Sequence, residues 1–313
     1  MVLKRCISPV LFCAALLFQA ANVEAQDLGH KLPGLLGLDA GRVPEPGLYL
    51  IGRVVNYRAG KLRDRNGNLI AAGLLDLRAS AVGFGLSYTT QLSKDSAFLT
   101  MTVAGPIARV RVNVQDRPEA NVDRFGLGDV YIQPVRLAWR KDRYDLVTSY
   151  AVYLPTGRSA LAGGSGASSG QVTHEFSLGG TLYGEDRTQF LTALAGYQLN
   201  TRQSGIDITR GDTVQIQGGM GAKLFARRVE AGLAGFALWQ VRDARGADLP
   251  PALRGARDRV YGLGPEVAVL FPSIRTQVRV RYEWDIKVRS RPQGHIFVAG
   301  IVFAAHRPPT SNP

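Results

Sequence analysis

The clearest chemical potential in this chain is a set of charges held at alternate positions near its C-terminus. Between positions 275 and 289, Arg275, Gln277, Arg279, Arg281, Glu283, Asp285, Lys287 and Arg289 take the odd places, and Thr276, Val278, Val280, Tyr282, Trp284, Ile286 and Val288 the even ones. Successive side chains on a strand point to opposite faces, so this stretch has one charged face and one apolar face. Cations set against Glu283 and Asp285 on one wall can do electrostatic work, because rings of side-chain charge set the selectivity of a pore. The same charges could instead pair with one another and merely fill a narrow barrel. Glu230, Glu266 and Lys223, on the polar faces of neighbouring segments, complete the candidate pore-lining set.

Other chemistry is sparsely provided for. The four histidines, His30, His174, His295 and His306, form no metal-ligand pattern, and the chain has neither a phosphate loop nor a Gly-x-Ser-x-Gly elbow. No catalytic, cofactor-binding or metal-binding residue is assigned. His174 precedes Ser177 by three positions, which on a strand puts the two on opposite faces and prevents a nucleophile–base pair. The Gly-rich stretch 163–170 lacks the lysine and following helix of a phosphate cradle.

The elements that must position the charges follow from length and spacing. A two-faced strand of this length exceeds the usual ~5–6 residues and suits a wall between water and lipid. Twelve such segments are expected near 47–57, 75–92, 96–113, 128–141, 143–155, 171–184, 187–200, 212–225, 228–242, 257–271, 274–288 and 294–303. Short turns at 93–96, 141–143, 184–187, 226–227 and 272–273 alternate with longer loops at 58–74, 114–127, 156–170, 201–211, 243–256 and 289–293. Outer-membrane barrels sort their connections in this way. The fold class expected is therefore all-β, a transmembrane antiparallel β-barrel of twelve strands over residues 47–303. Downstream of Ala25 no apolar run reaches the length of a membrane helix, and a closed barrel is the other structure that satisfies its backbone in lipid. Tyr49, Tyr57, Tyr131, Trp139, Tyr144, Trp239, Tyr282 and Trp284 near strand ends fit interfacial girdles. On 96–113, Arg109 and Arg111 share parity with Leu99, Met101 and Val103. Either a bulge near Gly105-Pro106 redirects these arginines or they lie at the outer rim.

The ends indicate export. Lys4 and Arg5, the apolar run 10–21 and Val23-Glu24-Ala25 read as a cleaved signal peptide over residues 1–25. Both cysteines, Cys6 and Cys13, fall within it, so the exported chain is expected to use neither disulfides nor thiol chemistry. Residues 26–46, rich in Leu, Gly and Pro, are expected to be irregular and are a candidate luminal plug; residues 304–313 form a C-terminal tail. The net charge is +13. Export makes nucleic acid an unsuitable partner for this charge, leaving lipopolysaccharide contact or an anion-favouring, basic lumen.

A resemblance enters through several motifs. Gly126-Leu127-Gly128-Asp129-Val130-Tyr131-Ile132-Gln133-Pro134, then Tyr153-Leu154-Pro155-Thr156-Gly157, are accompanied by Leu32-Pro33-Gly34, Pro46-Gly47-Leu48-Tyr49, Asp258-Arg259-Val260 and Gly264-Pro265. Together they resemble the meta-pathway of phenol degradation family. That resemblance implies an outer-membrane barrel similar to fatty-acid and aromatic-hydrocarbon channels, and supplies no binding residues. The function expected is passive uptake of small aromatic or hydrophobic solutes by a porin-like transporter, without a cofactor. Its expected partners are the solute, outer-membrane lipid, lipopolysaccharide and the barrel-assembly machinery. An outer-membrane lipid-modifying enzyme and a structural or adhesive barrel are the alternatives.

Overall fold

The computed structural model describes residues 32–93, 96–115, 121–158 and 166–306. The signal-peptide segment and the end of the tail lie outside these. Alternating side chains build β1 (Gly47–Arg63), β2 (Leu69–Ser93), β3 (Ala97–Val114), β4 (Val122–Leu127), β5 (Val130–Arg140), β6 (Tyr144–Leu154) and β7 (Thr173–Tyr183). They continue as β8 (Gln189–Asn200), β9 (Thr213–Leu224), β10 (Val229–Gln240), β11 (Arg259–Phe271), β12 (Thr276–Arg289) and β13 (Arg291–His306). Every strand pairs antiparallel with its neighbours, β1 pairs with β13, and β2 with β3 closes the ring. Segments β4 and β5 both pair with β3, on its later and earlier residues respectively. They are two halves of one broken stave, so the barrel has twelve.

The outer face is apolar: Leu86, Met101, Leu178, Leu191, Met220, Leu263, Val280 and Ile301 are all exposed there. In water this would be costly, whereas against hydrocarbon it is the expected surface of a spanning barrel. Outward aromatics lie at both ends: at one, Tyr282 packs on Trp284 with centroids 4.8 Å apart and Trp239 Nε1 donates to the Tyr261 hydroxyl at 3.0 Å, and at the other Tyr88, Tyr144, Phe225 and Phe271 are exposed.

Short turns join the strands at one end, hereafter the turn end, and loops gather at the other, the loop end. Two expected loops are absent. At 58–74, β1 and β2 run on to a tight turn in which the Asp64 carboxylate accepts the Asn66 and Asn68 N–H groups, each at 2.8 Å. At 289–293, Ser290 adopts φ 55° and turns β12 directly into β13. The β2–β3 register is continuous through Pro106, so β3 carries no bulge there. Arg109 and Arg111 remain on the outer face, near the loop end. The slip lies in β5 instead, between Ile132 and Val135 around Pro134. Of the aromatics expected in girdles, Tyr57 is fully buried inside, while Tyr49 and Tyr131 line the interior cavity.

Candidate functional site in the barrel interior

Residues 32–46 make their polar contacts with inward-facing side chains of the barrel. A 3-10 turn (Gly37–Asp39) lies at their centre. Successive backbone N–H groups donate to side chains of four strands: Leu36 to Gln217 at 3.0 Å, Leu38 to Glu266 at 3.2 Å, Gly41 to Thr192 at 2.9 Å and Val43 to Asp145 at 3.3 Å. Arg136 donates to the carbonyls of Ala40 and Arg42 at 2.9 and 3.1 Å, and Arg140 to that of Val43 at 2.8 Å. Leu32 and Leu35 pack on an apolar cluster that includes Tyr57, Phe236, Val260, Val288 and Ile296. Leu38 is fully buried with Phe190 and Ala234. An irregular segment tolerates burial only if its backbone groups find partners, and the inward Gln, Glu, Thr and Asp side chains supply them.

The charges of β12 meet this segment. Arg279 is paired with Asp39 at 2.9 Å, with Glu230 at 3.2 Å and with Glu266. Arg281 reaches Glu266 at 3.1 Å and Glu283 at 3.0 Å. Arg42 completes the set through Glu230 at 2.6 Å and Asp39 at 3.4 Å. Glu266, Glu283 and Arg281 have essentially no solvent exposure. Burial opposes ionisation of Asp39, yet Arg279, Arg42, Arg53 and Arg281 outweigh it and hold this carboxyl below the ordinary carboxylate range. Arg279, Arg281, Glu283, Glu230 and Glu266 are thus brought together. They form a compensated network rather than an open cationic ring.

The other expected pore residues lie elsewhere. Asp285 accepts from the Tyr57 hydroxyl and the Gly294 N–H, both at 2.9 Å, a buried tie between β12, β1 and β13. Lys223 is half-buried, its Nζ 5.7 Å from the Tyr183 ring. Arg275 sits in the left-handed conformation at the β11–β12 turn and lines the turn-end mouth of the cavity. Lys287 is on the outside. Opposite β12, Tyr261 pairs with Lys287 but Gly262 pairs with Asp285, so a bulge at Ile286 reverses the alternation. Lys287 therefore turns outward and Val288 inward, against the expectation from strict parity.

Beside the network a cavity of about 1070 Å³ runs along β1, β2, β3 and β5. Its wall is largely small and apolar, with Val55, Leu77, Ala79, Ala81, Ala104 and Val110. It extends from Arg275, Gln277 and Val302 at the turn end to Ile206, Ile208 and Leu249 of the loops. Arg53 lines it from β1, and its register partners on both sides are Gly83 and Gly300. Neither partner has a side chain to cover the guanidinium. The Arg53 side chain makes no hydrogen bond or ion pair with any other described residue.

At the break between β4 and β5, buried Asp129 accepts from the Ser168 hydroxyl and, at 2.6 Å, from the Ser169 hydroxyl. Gly128 N–H bonds Pro106 O at 2.9 Å. The Gly-Leu-Gly-Asp motif is thus a clasp that seats the 166–170 segment beside the cavity, where both line it. Sequence reasoning did not find Asp39, Arg42, Arg53 or the Asp129 clasp. Only the last had a local signal, the motif itself. His174 faces outward, bonded through Nδ1 to the Tyr150 hydroxyl at 2.8 Å, while Ser177 on the same strand is buried.

Because the β12 arginines are matched by carboxylates, their loss leaves Glu230, Glu266 and Glu283 in excess. The Arg279→Ala/Arg281→Ala double variant is expected to shift reversal potentials in planar bilayers away from anions and toward cations. Unchanged selectivity would mean that permeating ions do not sense the network.

A family model described as the MetA-pathway of phenol degradation matches residues 59–299. No curated protein matches the chain in sequence. Among solved structures, the COG4313 outer membrane channel from Pseudomonas putida F1 is similar at TM-score 0.74 and 12% identity, covering 85% of this chain and 97% of its own. The β domain of the Bordetella autotransporter BrkA is similar at TM-score 0.50 and 12% identity, covering 82% and 99%. At these identities the likeness is one of fold.

Proposed function

The chain belongs to the MetA-pathway of phenol degradation family, and on that premise we propose that it is a passive outer-membrane channel for small aromatic or hydrophobic solutes. The observation that carries this reading is the cavity along β1–β5, walled by apolar side chains and reaching from the loops to the turn end. A mostly apolar lining with a few placed polar groups is what a binding path for such solutes requires. The similar Pseudomonas putida protein is an outer membrane channel, which supports the same reading. In an outer membrane the turn end faces the periplasm. Residues 32–46 then act as a luminal plug that leaves only the β1–β5 side open. The basic character of the lumen then rests on Arg53 within the path and Arg275 at its turn-end mouth, since Arg279 and Arg281 are neutralised by their partners. Placing His174 and Ser177 on opposite faces of β7 disfavours a hydrolase built on that pair.

Arg53 should hold the polar end of a solute. In calorimetric titrations of the purified protein, Arg53→Gln is expected to weaken binding of benzoate by about tenfold, the loss of one charge-assisted hydrogen bond. Binding of its neutral isostere benzamide should be unaffected. Equal effects on both ligands would remove Arg53 from the path.

A further inference from the structure

Three arginines stand side by side on the outer face of β1, β2 and β3. The register places Arg58 opposite Arg78, and Arg78 opposite Arg111. Their strand neighbours Tyr57, Ala59, Leu77, Ala79 and Val112 are buried inside, so all three point outward. Arg109 lies on the same face two residues from Arg111. Arg78, Arg109 and Arg111 are 52%, 46% and 44% exposed at their side chains.

Toward the turn end the next outward layer, Asn56, Ser80 and Arg109, is still polar, and beyond it the same face is apolar, with Val54, Val82, Phe84, Val103, Ile107 and Leu127 exposed. The arginine row therefore marks the loop-end border of the lipid-facing band. Arginine there costs little, whereas deeper it would cost ~2–4 kcal/mol. Like charges directly opposite one another across strands are destabilising. Among the described residues Asp76 and Asp123 offset them, through Arg78 at 2.9 Å, Arg109 at 2.6 Å and Arg111 at 3.4 Å. Arg58 has no side-chain partner among the described residues.

Adjacent strands lie ~4.7–4.9 Å apart, so the three guanidinium groups can converge on one or two tetrahedral anions, for which the arginine fork is suited. At the loop end of an outer-membrane barrel the anions held at that depth are the phosphates of the outer-leaflet glycolipid. We propose that Arg58, Arg78 and Arg111 form a binding site for the phosphorylated lipid A headgroup of lipopolysaccharide, with Arg109 at its edge. The site is independent of whatever passes through the lumen.

The test is retention of lipid A by purified protein in detergent, read by native mass spectrometry and by the shift in thermal unfolding. Wild-type protein is expected to bind lipid A at least about tenfold more tightly than its fully dephosphorylated form. The Arg58→Gln/Arg78→Gln/Arg111→Gln variant should lose this preference. Arg143→Gln, which alters an exposed arginine at the turn end, should keep it. Folding of each variant is read from heat-modifiable migration. If the triple variant does not fold, the wild-type comparison of the two lipid forms decides. Equal binding of both forms by wild type, or full lipid A binding by the folded triple variant, overturns the site. Inorganic phosphate binding as tightly as lipid A would also overturn it, because the row would then be a free-anion site.

Discussion

Replacing Gly41 with leucine will raise the conductance of the barrel severalfold in planar bilayers. A Cβ at Gly41 would lie 2.1 Å from the carbonyl oxygen of Gly180, a backbone atom of β7 that cannot move aside without breaking the wall. The Gly41 N–H is also bonded to Thr192 at 2.9 Å. The plug would have to lift away from β7 and β8, and its neighbours are rigidly committed. Gly37 is in the left-handed region at φ +50°, wedged so closely that a Cβ would fall 1.9 Å from both Arg281 and Glu266. The strands themselves are tied by continuous ladders that do not involve the plug, so the barrel should remain folded. Asp39 contributes to docking in its ionised form. Because its carboxyl titrates below the ordinary range, that contribution is present at neutral pH and lost only as pH falls through the lowered value. Conductance identical to wild type, with the variant folded, would show that residues 32–46 do not limit the passage.

Glu266→Ala is expected to be the most destabilising single change in the interior. Glu266 is wholly buried, pairs with Arg279 and Arg281, and accepts the Leu38 N–H. Removing one member of a buried ion pair leaves the partner's charge uncompensated and typically costs ~3–5 kcal/mol. Here Arg281 retains Glu283, and Arg279 retains Glu230 and Asp39, so the lower part of that range applies to the barrel. The plug, which loses its contact at Leu38, should loosen as well. Thermal unfolding in detergent measures the first effect, and protease sensitivity of residues 32–46 the second. Wild-type values of both would mean that the network is slack.

The barrel was legible because membrane strands obey one rule over many residues. Strand β12 alternates charge and apolar side chains through most of its length, and the turns at 141–143 and 184–187 fall between such runs. The rule failed where a single residue is inserted. The bulge at Ile286 sends Lys287 to the outside, and the slip in β5 near Pro134 was not foreseen, whereas β3 keeps its parity through Pro106 and leaves Arg109 and Arg111 at the outer rim, the second of the two expectations for them. Tyr57 was misread for a different reason: parity along β1 gives two faces but not which is the lumen, and its hydroxyl partner Asp285 is 228 residues away. The interior network was half legible. Arg279, Arg281, Glu230 and Glu266 could be picked out by strand alternation. Asp39 and Arg42 lie in a segment with no periodicity, and only tertiary contact reveals that they complete the network. Arg53 carries no local signal, because what distinguishes it is the absence of side chains at Gly83 and Gly300.

The function proposed for this barrel is passive passage of small apolar solutes along its β1–β5 side. The most direct measurement is initial uptake of a panel of aromatic solutes by cells lacking the gene, with and without the gene restored. The restored strain should take up these solutes faster, without saturation at low concentration and without dependence on a protonophore. Gly41→Leu should accelerate entry further and admit larger members of the panel. Equal rates in deleted and restored strains, for every solute and with the protein present in the outer membrane, would contradict the account.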